Sequence, residues 1–327
     1  MTTGLTRRAT ATALGLASAL ALTACGTPSD GGTVEVAAAS GTKTKINLSP
    51  DQDRVTTAKV DSIAAEVPAE IRERGTLEVV GSPGSAPPLA FYATDDKTVI
   101  GVEPDIASLV ADVLGLELRL TTASWENVFV GLDSGKYDVG FSNITVTEER
   151  KKKYDFATYR KDTLGFEAKK GSGLKVTGPE DVAGRTVAVG SGTNQEKLLV
   201  EWSEENEKAG RKPVDIKYYQ NDSDVHLALQ SGRIDLYLGP HPTAAHHAAT
   251  TGKTEVVGTY SGAGDTLQGL IAATTKKDSG LAEPLADALD EIIDNGTYGK
   301  VLERWGLADE AVTKSEVNPP GLPETGA

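Results

Sequence analysis

The chain has 327 residues, 39% of them apolar and 24% charged, with 33 Lys and Arg against 47 Asp and Glu for a net charge of −14. That length exceeds the usual size of one compact domain and predicts two lobes, while the acidic balance argues against a broad phosphate-binding surface, so no nucleic-acid partner is expected. A single cysteine excludes an internal disulfide framework and a zinc ribbon.

Arg7 and Arg8 make a positive start, and residues 9–22 are an uncharged run of Ala, Leu, Thr, Ser and Gly ending in Leu22-Thr23-Ala24-Cys25. This is the layout of a secretory signal. The run is shorter than the about 20 apolar residues of a membrane span and lacks a second basic flank. Its ending resembles the lipobox of bacterial lipoproteins. That likeness implies a signal peptide over residues 1–24 and acylation of Cys25, which would hold the protein on the outer face of the cell membrane. Residues 26–61 are polar with few large apolar side chains, so residues 25–75 are expected to be the lipidated N-terminus and a flexible tether.

Beyond the tether, short apolar strands alternate with helical periods, which predicts an α/β fold. Leu77-Glu78-Val79-Val80 reads as a strand, and a helix from Pro104 carries Ile106, Leu109, Val110, Val113 and Leu114 on one core-facing stripe until Gly115 stops it. Leu116, Leu118 and Leu120 alternate as the next strand, and Ser124 caps a helix running to Asp133. Then the pattern repeats. Ser134-Gly135-Lys136-Tyr137-Asp138 leads into Val139-Gly140-Phe141, as Ser231-Gly232-Arg233-Ile234-Asp235 leads into Leu236-Tyr237-Leu238. Upstream of each, a strand runs into a Gly-Ser turn, Gly81-Ser82 and Gly190-Ser191. The echo predicts two similarly built lobes whose strand ends face one another across a cleft, where open α/β sheets bind ligands. A strand over residues 267–273, an amphipathic helix through Leu281, Leu285, Leu289 and Ile292, and a short helix with Tyr298 and Trp305 follow. Residues 311–327 are expected to be a tail. Its closing Leu322-Pro323-Glu324-Thr325-Gly326 matches a sortase sorting signal, but no apolar span follows in the sequence, so the match reads as coincidence.

Pro87-Pro88-Leu89-Ala90-Phe91, Gly101-Val102-Glu103-Pro104-Asp105, Ser134-Gly135-Lys136-Tyr137-Asp138, Ile144-Thr145-Val146-Thr147-Glu148-Glu149-Arg150, Ser191-Gly192-Thr193 and Asn295-Gly296-Thr297-Tyr298 are each weak signals. Their order and spacing together resemble the bacterial extracytoplasmic solute-binding proteins, family 3, that serve polar amino-acid ABC importers. The resemblance implies a two-lobed, type II periplasmic-binding-protein-like α/β fold with two hinge strands near residues 164–167 and 266–269. Lobe 1 would span 76–165 plus 268–310, and lobe 2 would span 166–267.

The same resemblance implies the site. Arg150 matches the position that clamps a ligand carboxylate, a task suited to a guanidinium fork. Ser191, Gly192 and Thr193 lie before a helix starting near Asn194, where backbone N–H groups and the helix dipole favour an anion; an ordinary capping turn uses the same residue types. Asn143 and Thr145 match positions that accept from a ligand ammonium, and Trp125 falls at an aromatic wall position. Pro240 departs from the family, standing where an aspartate pairs with the ammonium. Glu103 and Asp105 are candidate substitutes, though acids at a helix start also serve the dipole. Pro83 and Ala86 leave side-chain specificity open. His241, beside Pro240, is a candidate ligand contact. His241, His246 and His247 are not spaced to share a helix face, so no metal site is expected, nor any cofactor.

The expected function is a non-enzymatic, monomeric receptor that captures an amino acid or related carboxylate-bearing solute by lobe closure and delivers it to an ABC permease. The alternative is an enzyme on the same scaffold, such as a cyclohexadienyl-type dehydratase, for which the sequence offers no Ser-His-acid, cysteine or metal constellation.

Overall fold

The computed structural model describes residues 1, 32–37, 43–84, 87–219 and 221–324. The leader, Cys25, Ala86, Thr325 and Gly326 lie outside them, and the described residues beyond Met1 belong to one compact unit, Gly32–Ala327. Among the described residues no helix is long and apolar enough to cross a membrane.

A hairpin of β1 (Thr33–Ala37) and β2 (Lys43–Asn47) precedes two short helices, α1 (Asp61–Glu66) and α2 (Ala69–Arg74). Then come β3 (Thr76–Gly81), the small pair β4 (Phe91–Tyr92) and β5 (Val99–Ile100), α3 (Val102–Leu114), β6 (Glu117–Thr122), α4 (Trp125–Asp133) and β7 (Val139–Gly140). The long strand β8 (Tyr154–Lys169) leads to β9 (Thr186–Val189), α5 (Asn194–Lys208), β10 (Asp215–Tyr218), α6 (Asp222–Ser231), β11 (Leu236–Pro240), α7 (His241–Thr251) and β12 (Thr254–Ser261). The chain returns through β13 (Gly269–Lys276), α8 (Ala282–Asp294) and α9 (Thr297–Arg304).

β8 joins the two lobes. Its first part, Tyr154 to Asp162, pairs antiparallel with β13, beside β7, β3 and β6. From Thr163 onward its partners are β12 and β11, beside β9 and β10. The lobe change on this strand therefore falls between Asp162 and Thr163, slightly upstream of residues 164–167, and the second crossing is the turn from Ser261 to Gly269. At that turn a Cβ on Gly262 would sit 1.7 Å from an Asp162 carboxylate oxygen, so only glycine lets the crossings approach this closely. The internal echo has a physical counterpart. Asp138 exchanges hydrogen bonds with the Glu78 backbone of β3, its carboxylate accepting at 2.8 Å, and Asp235 does the same with Thr186 of β9 at 2.9 Å.

Each lobe buries its own core. Leu109, Val113, Leu289, Ile292 and Leu302 pack helices α3, α8 and α9 together in the first lobe, and Trp305 stands edge-on to Phe91 with ring centroids 5.8 Å apart. Phe166 and Trp202 stack at 5.5 Å in the second.

Two expectations are corrected here. The described part of the 25–75 segment is not a flexible tether. Ile46 is 1% exposed within the first core, Val55 and Val60 pack against it, and Arg54 pairs with buried Asp105 at 3.3 Å. Single apolar side chains in a polar tract are enough to fill grooves that α3 and α9 leave open. Residues 311–324 are likewise not a loose tail but a strap along β8. The Glu316 N–H donates to Thr158 Oγ1 at 2.8 Å, the Leu322 N–H donates to the Val146 carbonyl at 3.1 Å, and the Leu322 side chain, 1% exposed, joins the core of the second lobe. The strap thus touches both lobes.

Candidate functional site

Three cavities of about 530, 470 and 210 Å³ lie along the strand ends where the lobes meet, and Thr193 borders all of them. Trp125 at the start of α4 reaches across from the first lobe, its indole N–H donating to the Gly192 carbonyl at 3.4 Å.

Arg150 opens a single 3₁₀ turn before β8 and lines the 470 Å³ cavity. Its fork donates to two carbonyls, Thr145 of its own lobe at 2.9 Å and Gly192 of the other at 3.1 Å. The guanidinium carbon lies 5.4 Å from the Trp125 ring centre and 5.3 Å from that of Phe129. Burial pulls its pKa down to about 10 against the opposing charge of Asp162, so it stays cationic at neutral pH. A fixed cation held between aromatic faces and neutral carbonyls is disposed to exchange a carbonyl for a carboxylate, which makes a hydrogen bond roughly twice as strong.

The Ser191-Gly192-Thr193 turn works chiefly as a cap. Thr193 Oγ1 accepts from the Glu196 N–H at 3.1 Å and donates to the Gly190 carbonyl at 2.7 Å, while the Gly192 N–H donates to the Glu196 carboxylate at 2.6 Å. This resembles the Thr-x-x-Glu arrangement of helix starts, with the Glu196 carboxylate reaching the N–H one residue before the capping Thr193. Ser191 is exposed and lines the 530 Å³ cavity.

Several residues expected at the ligand are committed elsewhere. The Thr145 hydroxyl, 1% exposed, donates to Asp162 at 2.7 Å, and Asn194 donates to the same carboxylate at 3.0 Å. These bonds tie the crossing strand to the second lobe. Asn143 does line the 210 Å³ cavity, in the left-handed region at φ 51°, but its side-chain carbonyl accepts from Arg160. Glu103 borders the same cavity, yet its carboxylate holds Arg160 at 3.0 Å and accepts the Tyr159 hydroxyl. Asp105 accepts from the Trp305 indole at 2.8 Å and pairs with Arg54, buried behind α3. Neither acid is presented to a ligand ammonium. His241 does not line these cavities; its backbone packs against Gly165 of β8, where a Cβ would come within 3.2 Å of it, and burial lowers its pKa. Pro240 next to it does face the 210 Å³ cavity.

A cluster the sequence did not suggest joins Glu167 of β8, His226 of α6 and His247 of α7, whose ligand-capable atoms lie within 4.8 Å of one another. The two imidazoles stack at 3.4 Å with planes 6° apart. A ring nitrogen binds a metal in its own ring plane, and two stacked parallel planes share no such point, so the arrangement reads as a hydrogen-bonded cluster around the Glu167 carboxylate. Burial alone would raise the Glu167 carboxyl; hydrogen bonds from His226, His247 and Thr254 outweigh it and hold it at about 2.

The sequence reading also missed part of the cleft wall. Tyr92, Tyr219, Asp222 and Tyr237 line the 530 Å³ cavity, and Asp222 and Tyr237 also line the 210 Å³ one. The available signal was Asn221-Asp222 ahead of α6, where Asn221 caps the helix by accepting from the Asp224 N–H at 2.9 Å; it reads as helix initiation alone.

Two α/β lobes joined by crossing strands, with an arginine poised between them at a seam lined by cavities, define a two-lobed solute-binding protein. Residues 79–308 match the model of the bacterial extracellular solute-binding proteins, family 3. The chain belongs to that family. It is 34% identical over 246 residues to the L-cystine-binding protein TcyJ of Escherichia coli strain K12, covering 75% of this chain and 87% of the relative. It is 28% identical over 261 residues to the arginine-binding protein ArgT of Corynebacterium glutamicum, covering 79% and 83%. Among solved structures, an ancestral arginine-binding protein bound to arginine superposes with a TM-score of 0.61 at 30% identity, over 71% of this chain and 98% of that one. A mutant of the T. maritima arginine-binding protein gives 0.62 at 27% identity, over 72% and 97%.

Proposed function

We propose that this protein captures an amino acid or a closely related carboxylate-bearing solute outside the cell and hands it to the permease of an ABC importer. The observation that carries the reading is the Arg150 fork, which spans the seam from the Thr145 carbonyl to the Gly192 carbonyl. A ligand carboxylate would take the place of the Gly192 carbonyl on the fork and draw on the dipole of α5, joining the two lobes through itself. Ligand would then favour the closed form, because its carboxylate adds a charge-assisted bridge where only a neutral carbonyl now bonds across the seam. The relatives named for cystine and arginine support an amino-acid class of ligand.

In this reading the protein works as a monomer, without catalysis or cofactor, anchored by acylation of Cys25 after removal of residues 1–24. The lobes divide on β8 between Asp162 and Thr163 and again at the turn from Ser261 to Gly269. Mass spectrometry of the small molecules released on denaturing the purified protein tests it. Recovery of an amino acid that persists unchanged on incubation with the protein is expected; its conversion to a new product would favour an enzyme.

A further inference from the structure

We infer that the end of the C-terminal strap is a latch between the lobes, with Leu322 as its bolt, a device that goes beyond the capture of a solute. Residues 318–324 read Asn-Pro-Pro-Gly-Leu-Pro-Glu, and Leu322 is their one large apolar side chain. Pro319, Pro320 and Pro323 restrict the backbone on both sides of it, so the stretch keeps one path without a helix or sheet of its own.

The strap's backbone belongs to the first lobe. The Asn318 N–H donates to the Phe156 carbonyl at 3.1 Å, and the Leu322 carbonyl accepts from the Glu148 N–H at 3.0 Å, beside the bond from the Leu322 N–H to Val146. The Gly321 N–H donates to the Glu148 carboxylate at 2.9 Å. A Cβ on Gly321 would lie 2.4 Å from the Val146 carbonyl oxygen, so the strap lies this close only with glycine there. The side chain that follows goes the other way. Leu322 is buried in the second lobe's core with Leu164, Leu198 and Leu238, and Lys197 of α5 donates to the Pro323 carbonyl.

The latch lies against the candidate site. Thr147, which bridges to Leu322, and Lys197 both line the 470 Å³ cavity that holds Arg150. Glu324 pairs at 2.7 Å with Lys152, in the same 3₁₀ turn as Arg150. Parting the lobes at this edge either withdraws Leu322 from an apolar socket into water or peels the strap from residues 146–148, and both are unfavourable. The latch therefore favours the closed arrangement before any ligand arrives. A ligand that selects this arrangement binds more tightly in proportion to the share of molecules already closed.

Electron spin resonance distances in the ligand-free full chain test this. A Cys25→Ser background carries spin labels at Lys136→Cys in the first lobe and Lys208→Cys in the second, both exposed positions. Leu322→Ala is expected to lengthen and broaden the distance distribution, and the milder Leu322→Val, which covers the case of an alanine variant that does not fold, to do so less. Leu322→Met refills the socket and is expected to keep the wild-type distribution. Val182→Ala truncates another fully buried side chain of the same core, on the 3₁₀ turn before β9, and is expected to leave the distances unchanged. Calorimetry with the tightest binder among the proteinogenic amino acids and L-cystine is expected to show about 10-fold weaker affinity in Leu322→Ala. Wild-type distances in the folded Leu322→Ala and Leu322→Val proteins would overturn the latch, and so would an equal lengthening in Val182→Ala, which would mean general loosening of the core. The distances need no ligand, so they decide the latch even if none of the set binds, a result that would contradict the transport reading alone.

Discussion

Replacing Arg150 by alanine separates what the guanidinium does for folding from what it does for the ligand. In the folded protein it donates to two neutral carbonyls at 2.9 and 3.1 Å beside open cavities. Each such bond contributes about 1 kcal/mol net, and the space the guanidinium leaves opens onto the 470 Å³ cavity, so the folding cost is about 1–2 kcal/mol. For a chain of this size that lowers Tm by roughly 2–6 °C. Loss of a charged fork from a ligand carboxylate costs more, about 3–4 kcal/mol, which weakens binding on the order of 150- to 900-fold. Calorimetry and thermal melting on the same preparation read both quantities. Arg150→Lys, which keeps the charge and loses the fork, should fall between alanine and wild type. Unchanged affinity in Arg150→Ala would place the carboxylate elsewhere, and a fall in Tm beyond about 10 °C would make the arginine chiefly a structural tie, contrary to the two-bond estimate.

Two further predictions concern the frame around the cleft. Leu322→Ala should cost about 2–4 kcal/mol in urea unfolding, because its side chain is fully buried in the second lobe's core; a loss under about 0.5 kcal/mol would mean that the strap does not anchor there. Glu167, held at about 2 against an ordinary 4.5, contributes stability that is complete above pH about 4.5 and is lost as pH falls toward 2. Glu167→Gln should flatten that part of an acid-unfolding curve followed by circular dichroism, and an unaltered slope would remove the network from the account.

Much of the first lobe was legible because its elements obey simple periodicity: the α3 stripe and its Gly115 stop occur as spaced, over Val102–Leu114. The repeated Gly-x-x-Asp segments announced an equivalent job, and Asp138 and Asp235 perform it. β8 was harder to see. It buries Arg160, Asp162 and Glu167 among its apolar residues, and their partners Glu103, Glu310, Asn194 and His247 come from distant parts of the chain. Charges at buried positions mask a strand in any local reading. The same cause hid the true commitments of Thr145, Glu103 and Asp105, since a hydrogen bond to a distant side chain leaves no spacing signal. Arg150 could be found from its motif, whereas Asp222 sits in an acid-rich helix start that capping chemistry already explains. The strap and the packed N-terminal segment were lost for a compositional reason. A lone Ile46 or Leu322 in polar surroundings looks solvated until the groove it fills is known.

The central claim is that the seam holding Arg150 binds an amino acid. Isothermal titration calorimetry of the full chain against the proteinogenic amino acids and L-cystine tests it most directly. Saturable binding of at least one of them at one molecule per chain is the predicted result, and the absence of binding heat across the whole set, confirmed by an unshifted thermal melt, would contradict it.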